Sequence, residues 1–182
     1  MDDNARKGRV DRTEPKTFML NLEEAHEFRS RLPHPNRIWY FAYGSNLNVD
    51  QMRERVGEWR LSKRALARNY TLVFNHYSKK WKGYTANLSE TGKYEDVVYG
   101  VVYHIDEEQL MKLGTYEGTP PLDMRVELED GNEISDARVF MWKTSDSEQE
   151  PPKVYRKLVE QGLLQHGYSR SHVDTVFGKF AR

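Results

Sequence analysis

Apolar and polar positions change rhythm several times along this 182-residue chain. Residues 1–17 carry almost no large apolar side chain and predict a flexible tail. From Asn21 the period turns helical. Asn21 and Glu24 have capping-box spacing, Ala25, Phe28 and Leu32 share a face, and Pro33 and Pro35 stop the run. Residues 18–36 therefore read as an N-terminal helical extension, and residues 37–182 as the main domain. Runs rich in Val, Ile, Tyr, Phe and Trp predict strands at 37–43, 68–75, 84–88, 97–103, 124–129 and 134–142. Asp130-Gly131 marks a hairpin between the last two.

Helical periods interrupt the strands. The first covers 49–56, with Asn48 as cap, Gln51 three residues later, and Leu47 and Met52 as a hydrophobic staple. The second covers 107–113. Asp106 and Gln109 form its box, Ile105 and Leu110 its staple, and Gly114 its expected stop. A third, at 152–161, opens on Pro151-Pro152. The last, 170–177, aligns Val173, Val176, Phe177 and Phe180. Mixed order with a hairpin predicts an α+β fold. The expected architecture is a mixed, six- to seven-stranded closed or nearly closed β-barrel flanked by helices.

Composition narrows the class. Hydrophobic residues make up 37% and aromatics 12%, enough to build a core. The formal charge is zero, with 28 basic and 28 acidic residues, which argues against a generic nucleic-acid binder. There is no cysteine, so disulfides, thiolate metal sites and cysteine nucleophiles are excluded. The six histidines, at 26, 34, 76, 104, 166 and 172, make no metal-binding spacing, so no metal is expected. No apolar run approaches the ~18 residues that span a bilayer, and the N-terminus lacks a signal-peptide core. A cytoplasmic protein without a membrane partner is expected.

Two stretches carry candidate chemistry. "WYFAYGSNLN", 39–48, drives an apolar strand into Gly44-Ser45-Asn46 and then a helix. It reads as an ordinary capped junction, or as a cradle of backbone N–H groups for a carboxylate or developing oxyanion, with Gly44 supplying unusual backbone angles. It is no phosphate loop, because neither G-x-x-x-x-G-K-[ST] nor G-x-G-x-x-G is present. No G-x-S-x-G surrounds Ser45, so a hydrolase serine is not expected. "LGTYEGTPP", 113–121, sets Glu117 in an expected loop between Gly114 and Gly118. By itself it reads as a solvated acid.

Together, Tyr40 to Leu47, Gly100-Val101-Val102-Tyr103, Glu117-Gly118 and Pro151-Pro152-x-x-Tyr155 resemble the γ-glutamylcyclotransferase family in order and spacing, over about residues 38–175. The resemblance implies a helix-flanked β-barrel, often a homodimer. It also implies a cofactor-free acyltransferase- or lyase-type reaction on a small γ-glutamyl substrate, in which a γ-glutamyl amide cyclises to 5-oxoproline and releases an amine or amino acid. It assigns Glu117 the catalytic acid/base role, Tyr43, Gly44, Ser45, Asn46 and Leu47 the substrate cradle, and Tyr155 the pocket border. Trp81 or Tyr84 are implied near the leaving group. Two departures bear on substrate choice: Gly114 stands where many relatives carry an acid, and Met124 where several carry an aromatic.

The chemistry suits these residues. A solvated Glu titrates near 4.3 and is a weak base, and burial beside aromatics such as Tyr43, Tyr116 or Tyr155 would raise it to a useful range. Two other readings stand beside this one. One is a catalytically silent module binding a γ-glutamyl or amino-acid-like ligand. The other is single-strand nucleic-acid binding through the basic and aromatic stretch 76–85.

Overall fold

The computed structural model describes residues 37–180, so the expected tail and N-terminal helical extension lie outside the described residues. The strands are β1 (Ile38–Ala42), β2 (Ser62–Arg68), β3 (Tyr70–Ser78), β4 (Gly83–Glu90), β5 (Val97–Ile105), β6 (Leu122–Leu128) and β7 (Glu133–Val139). The helices are α1 (Val49–Val56), α2 (Glu107–Glu117), α3 (Lys153–Gln165) and α4 (Arg170–Phe177). Short 3-10 turns lie at Ser45–Leu47 and Gly178–Phe180.

The fold is α+β, with a closed barrel in the order β1-β5-β2-β6-β7. Four of its pairings are antiparallel, and the closing contact of β1 with β7 is parallel, at Tyr40 opposite Arg138. Seven strands are present, but five close the barrel, not six or seven. β3 and β4 form a separate two-stranded sheet. Asn69, at φ 67°, turns the chain out of β2, and a bulge between Phe74 and His76 bends β3. Phe74 then packs on Phe177 and Phe180, with ring centroids 5.6 Å away in each case.

The unexpected barrel strand is β2, SKRALAR, whose two alanines point inward and whose polar residues alternate with them. Its basic side chains find acids on and beside β6: Arg68 pairs with Glu127 at 2.6 Å, Lys63 with Asp130 at 3.1 Å, and Arg64 with Glu129. Such cross-strand pairs support the ladder by a few tenths of a kcal/mol each, about 0.2–1. β5 lies between β1 and β2, and Gly100 lets β1 close on it. A Cβ there would stand 2.3 Å from the Ala42 carbonyl oxygen.

α2 continues past Gly114 for a further turn. Its stop is Gly118, in the left-handed region at φ 68°, whose N–H bonds the Gly114 carbonyl. The expected capping box of Asp106 and Gln109 is present, with both bonds formed. Glu117 is therefore the last helical residue rather than part of a loop. Placing it on a packed helix fixes its direction more firmly than a loop would.

Candidate active site

The site forms where β1 runs out. Leu47 N–H bonds the Gly44 carbonyl at 3.0 Å and Asn48 N–H the Ser45 carbonyl at 3.1 Å, closing the 3-10 turn. Those two N–H groups are thus consumed locally. The Gly44 and Asn46 N–H groups have no such bond among the described residues. Asn48 then caps α1, its side chain accepting from Gln51 N–H. Tyr103 clamps the turn from behind, its hydroxyl donating to the Asn46 carbonyl at 3.1 Å and reaching the Leu47 carbonyl at 3.3 Å.

Gly44 combines a φ of −115° with a ψ of −141°, outside the helical and extended ranges, and it also serves close approach: a Cβ there would sit 2.8 Å from the Tyr155 hydroxyl oxygen. Tyr155 comes from the first turn of α3 and is only 3% exposed. Its hydroxyl accepts the Ala86 N–H of β4 at 3.1 Å. Burial pushes the Tyr155 phenol well above its ordinary value, so it stays a neutral donor. α3 approaches the turn closely because of Gly162, where a Cβ would lie 2.4 Å from the Leu47 carbonyl carbon.

Glu117 enters from the end of α2. Its Oε1 accepts Asn46 Nδ2 at 3.0 Å and Arg55 Nη1 at 2.9 Å. Asn46 also donates to the Tyr40 hydroxyl at 2.7 Å, and its Oδ1 accepts Arg55 Nη1 at 2.7 Å. Arg55 and Glu117 are 5% and 16% exposed at their side chains. Both contacts fall on Oε1, so Oε2 carries no hydrogen bond among the described residues. Burial raises the Glu117 pKa above the ordinary carboxylate value, against the opposing pull of Arg55, Asn46 and Lys80. The outcome is a desolvated carboxylate with one oxygen held and one left for a ligand.

These groups border a cleft of about 270 Å³, mouth included, lined by Tyr43, Gly44, Ser45, Asn46, Glu117 and Tyr155 together with Tyr40, Ala86, Phe140 and Trp142. Six of the seven expected site residues meet there. Leu47 does not: its side chain is fully buried in the core. Tyr43 donates to the Phe140 carbonyl at 2.5 Å, which fixes both at the cleft wall. Met124 lies on β6 and is not among the lining residues, and a Cβ on Gly114 would meet only the edge of Phe140, at 3.9 Å. Tyr116 is half exposed and faces Arg55 instead of walling the acid. Trp81 packs edge-on against Tyr155 at 5.4 Å, whereas Tyr84 packs on Tyr77.

Sequence reasoning missed Tyr40 and Arg55. Arg55 had a signal: it lies three residues after Met52 and one before Val56, on the face of α1 that enters the core. A cation on an apolar helical face needs a buried partner. Among the described residues no cluster of His, Asp and Glu could hold a metal ion, and no helix is long and apolar enough to cross a membrane.

Comparison with known proteins agrees with this arrangement. Residues 40–160 match the family model described as gamma-glutamyl cyclotransferase, AIG2-like. The chain belongs to that family. The matched span contains the 43–47 turn, Arg55, Glu117 and Tyr155. A gamma-glutamylcyclotransferase of Bos taurus is 28% identical over 137 residues, covering 70% of this chain and 71% of its own. One from Mus musculus is 25% identical over 146 residues, covering 75% and 76%. A solved structure named gamma-glutamyl cyclotransferase superposes with a TM-score of 0.69 at 23% identity, covering 78% of this chain and 86% of that one, which establishes the shared fold.

Proposed function

We propose that this protein is a cofactor-independent γ-glutamylcyclotransferase that converts a small γ-glutamyl amide to 5-oxoproline and a free amine, with Glu117 relaying the protons. The observation that carries this reading is the unpartnered Oε2 of a desolvated Glu117 in a cleft bordered by the Gly44–Asn46 backbone. Family membership supports the reaction class.

The substrate's α-ammonium must lose a proton before it can attack its own γ-carbonyl. Glu117 Oε2 accepts it, which is worth about 10²–10⁴ in rate. The amine then forms the C–N bond of a five-membered lactam. Negative charge develops on the γ-carbonyl oxygen, for which the Gly44 and Asn46 N–H groups are the candidate donors. Collapse breaks the original amide C–N bond. In all, the attacking nitrogen loses two protons and the leaving nitrogen gains two, and one carboxyl group carries them in turn. Arg55 holds Oε1 and keeps the acid ionisable despite its burial. The aromatic walls from Tyr43 and Tyr155 favour a bent substrate whose reacting atoms stay close.

Incubating the protein with a panel of γ-glutamyl dipeptides and amines, and following 5-oxoproline, tests the reading. Release from at least one member is expected. Tight calorimetric binding with no product over long incubation would instead mark a silent binding module.

A further inference from the structure

One aromatic ring away from the cleft lining stands a cation that the chemistry above does not use. Lys80 lies in the connection between β3 and β4. Its ammonium stands 5.2 Å from the Trp81 ring centre and 5.5 Å from that of Tyr116. Each ring leads to the site. Trp81 packs on Tyr155, which lines the cleft. Tyr116 is the neighbour of Glu117, and Arg55 faces its ring at 4.8 Å. Lys80 is thus one aromatic ring away from the Arg55–Glu117 pair.

Arg55 is matched by Glu117 at 2.9 Å, whereas Lys80 has no carboxylate at ion-pair distance among the described residues. Glu54 and Glu117 act on it only through space. Desolvation, with Arg55 nearby, draws its pKa below the ordinary lysine value. Two cations, Arg55 and Lys80, thus stand around one exposed ring beside the carboxylate that must relay protons, and Arg55 alone is paired with it.

The geometry points to Lys80 as the residue that selects the leaving group, by pairing with a carboxylate carried next to the departing nitrogen. This rests on the cyclotransferase reading above. A leaving amino acid places its α-carboxylate two bonds from that nitrogen, which suits a cation at the rim better than one at the reacting centre. A neutral amine would gain nothing from Lys80, and a cationic amine would be repelled by it. The faces of Trp81 and Tyr116 hold the Lys80 ammonium by cation–π contact, so less rotamer freedom is lost on pairing.

The test compares γ-glutamyl-alanine with γ-glutamyl-alaninamide, which differ only in that charge. In the native protein the acid should show the higher kcat/KM, by about five- to tenfold, somewhat more than an exposed pair gives because the rim is partly desolvated. Raised ionic strength should shrink the ratio. In Lys80→Met the ratio should fall towards one, mainly through KM for the acid. Lys80→Arg should restore it and Lys80→Glu should reverse it. Equal kcat/KM for the two substrates, or a ratio unmoved in Lys80→Met, would overturn the assignment while leaving the cyclotransferase reading intact. Release of 5-oxoproline from neither substrate nor from any γ-glutamyl panel member would remove both.

Discussion

The Arg55–Glu117 pair is the residue-scale device on which the site turns. Burial raises the Glu117 pKa and so favours the protonated acid, and Arg55 opposes that. The acid limb of the pH–rate profile should therefore follow Glu117. In Arg55→Met the cation that favours the carboxylate is gone, so the pKa rises further and the limb moves to higher pH. A profile recorded on both proteins checks this, and an unmoved limb would separate Arg55 from the titration. Gly44 gives a second prediction. Gly44→Ala should cost about 1–3 kcal/mol through overpacking against the Tyr155 hydroxyl. Combining it with Tyr155→Phe should cost less than the sum of the two single changes in denaturant unfolding. Additive losses would mean the two do not compete for one space. Glu117, Tyr155 and the 43–46 turn were legible because their order and spacing are local or motif-like. Arg55 showed only as a cation on an apolar helical face, because the partner that gives it a role lies 62 residues away. The close approach of Tyr155 to Gly44 was hidden for a similar reason, since that contact comes from α3.

At the scale of elements, α3 matters for what it brings to the turn. Gly162 meets backbone atoms, the Leu47 carbonyl carbon and Asn48 nitrogen at 2.4 and 2.5 Å, and these cannot rotate away. Gly162→Ala should therefore destabilise by about 3 kcal/mol, the upper range of overpacking, and weaken turnover beyond its effect on unfolding. A thermal melt alongside the 5-oxoproline assay reads both. A variant with native Tm and native kcat would show that α3 does not press on the turn. The boundaries of α1 were legible from its cap and period and those of α4 from its period, because both signals are local. α2 was cut short at Gly114 because a glycine on a helical pattern looks like a stop. The true stop is four residues on, where φ is positive. β2 escaped notice because a strand built on alanine and basic residues owes its place to acids on β6.

For the whole molecule, closure explains what the strand count could not. Seven strands suggest one large barrel, yet β3 and β4 pair only with each other, and their connection packs Trp81 on Tyr155 at the cleft. The His76 ring lies on Trp142 at 4.1 Å, and Trp81 packs on Tyr155. Hydrogen exchange should follow this division. β5, paired on both sides and deeply buried, should exchange slowest, and residues 79–82 fastest. Equal protection of the two would contradict the separation of barrel and hairpin.

One measurement bears most directly on the central claim, that Glu117 relays protons inside this cleft. It is kcat for 5-oxoproline release in Glu117→Gln beside the native protein, with a thermal melt of each. Glutamine keeps the size and can still accept the Arg55 hydrogen bond, but it cannot take up a proton. The expected result is a loss of about 10²–10⁴ in kcat in a protein that still unfolds cooperatively. Native kcat in a folded Glu117→Gln protein would contradict it.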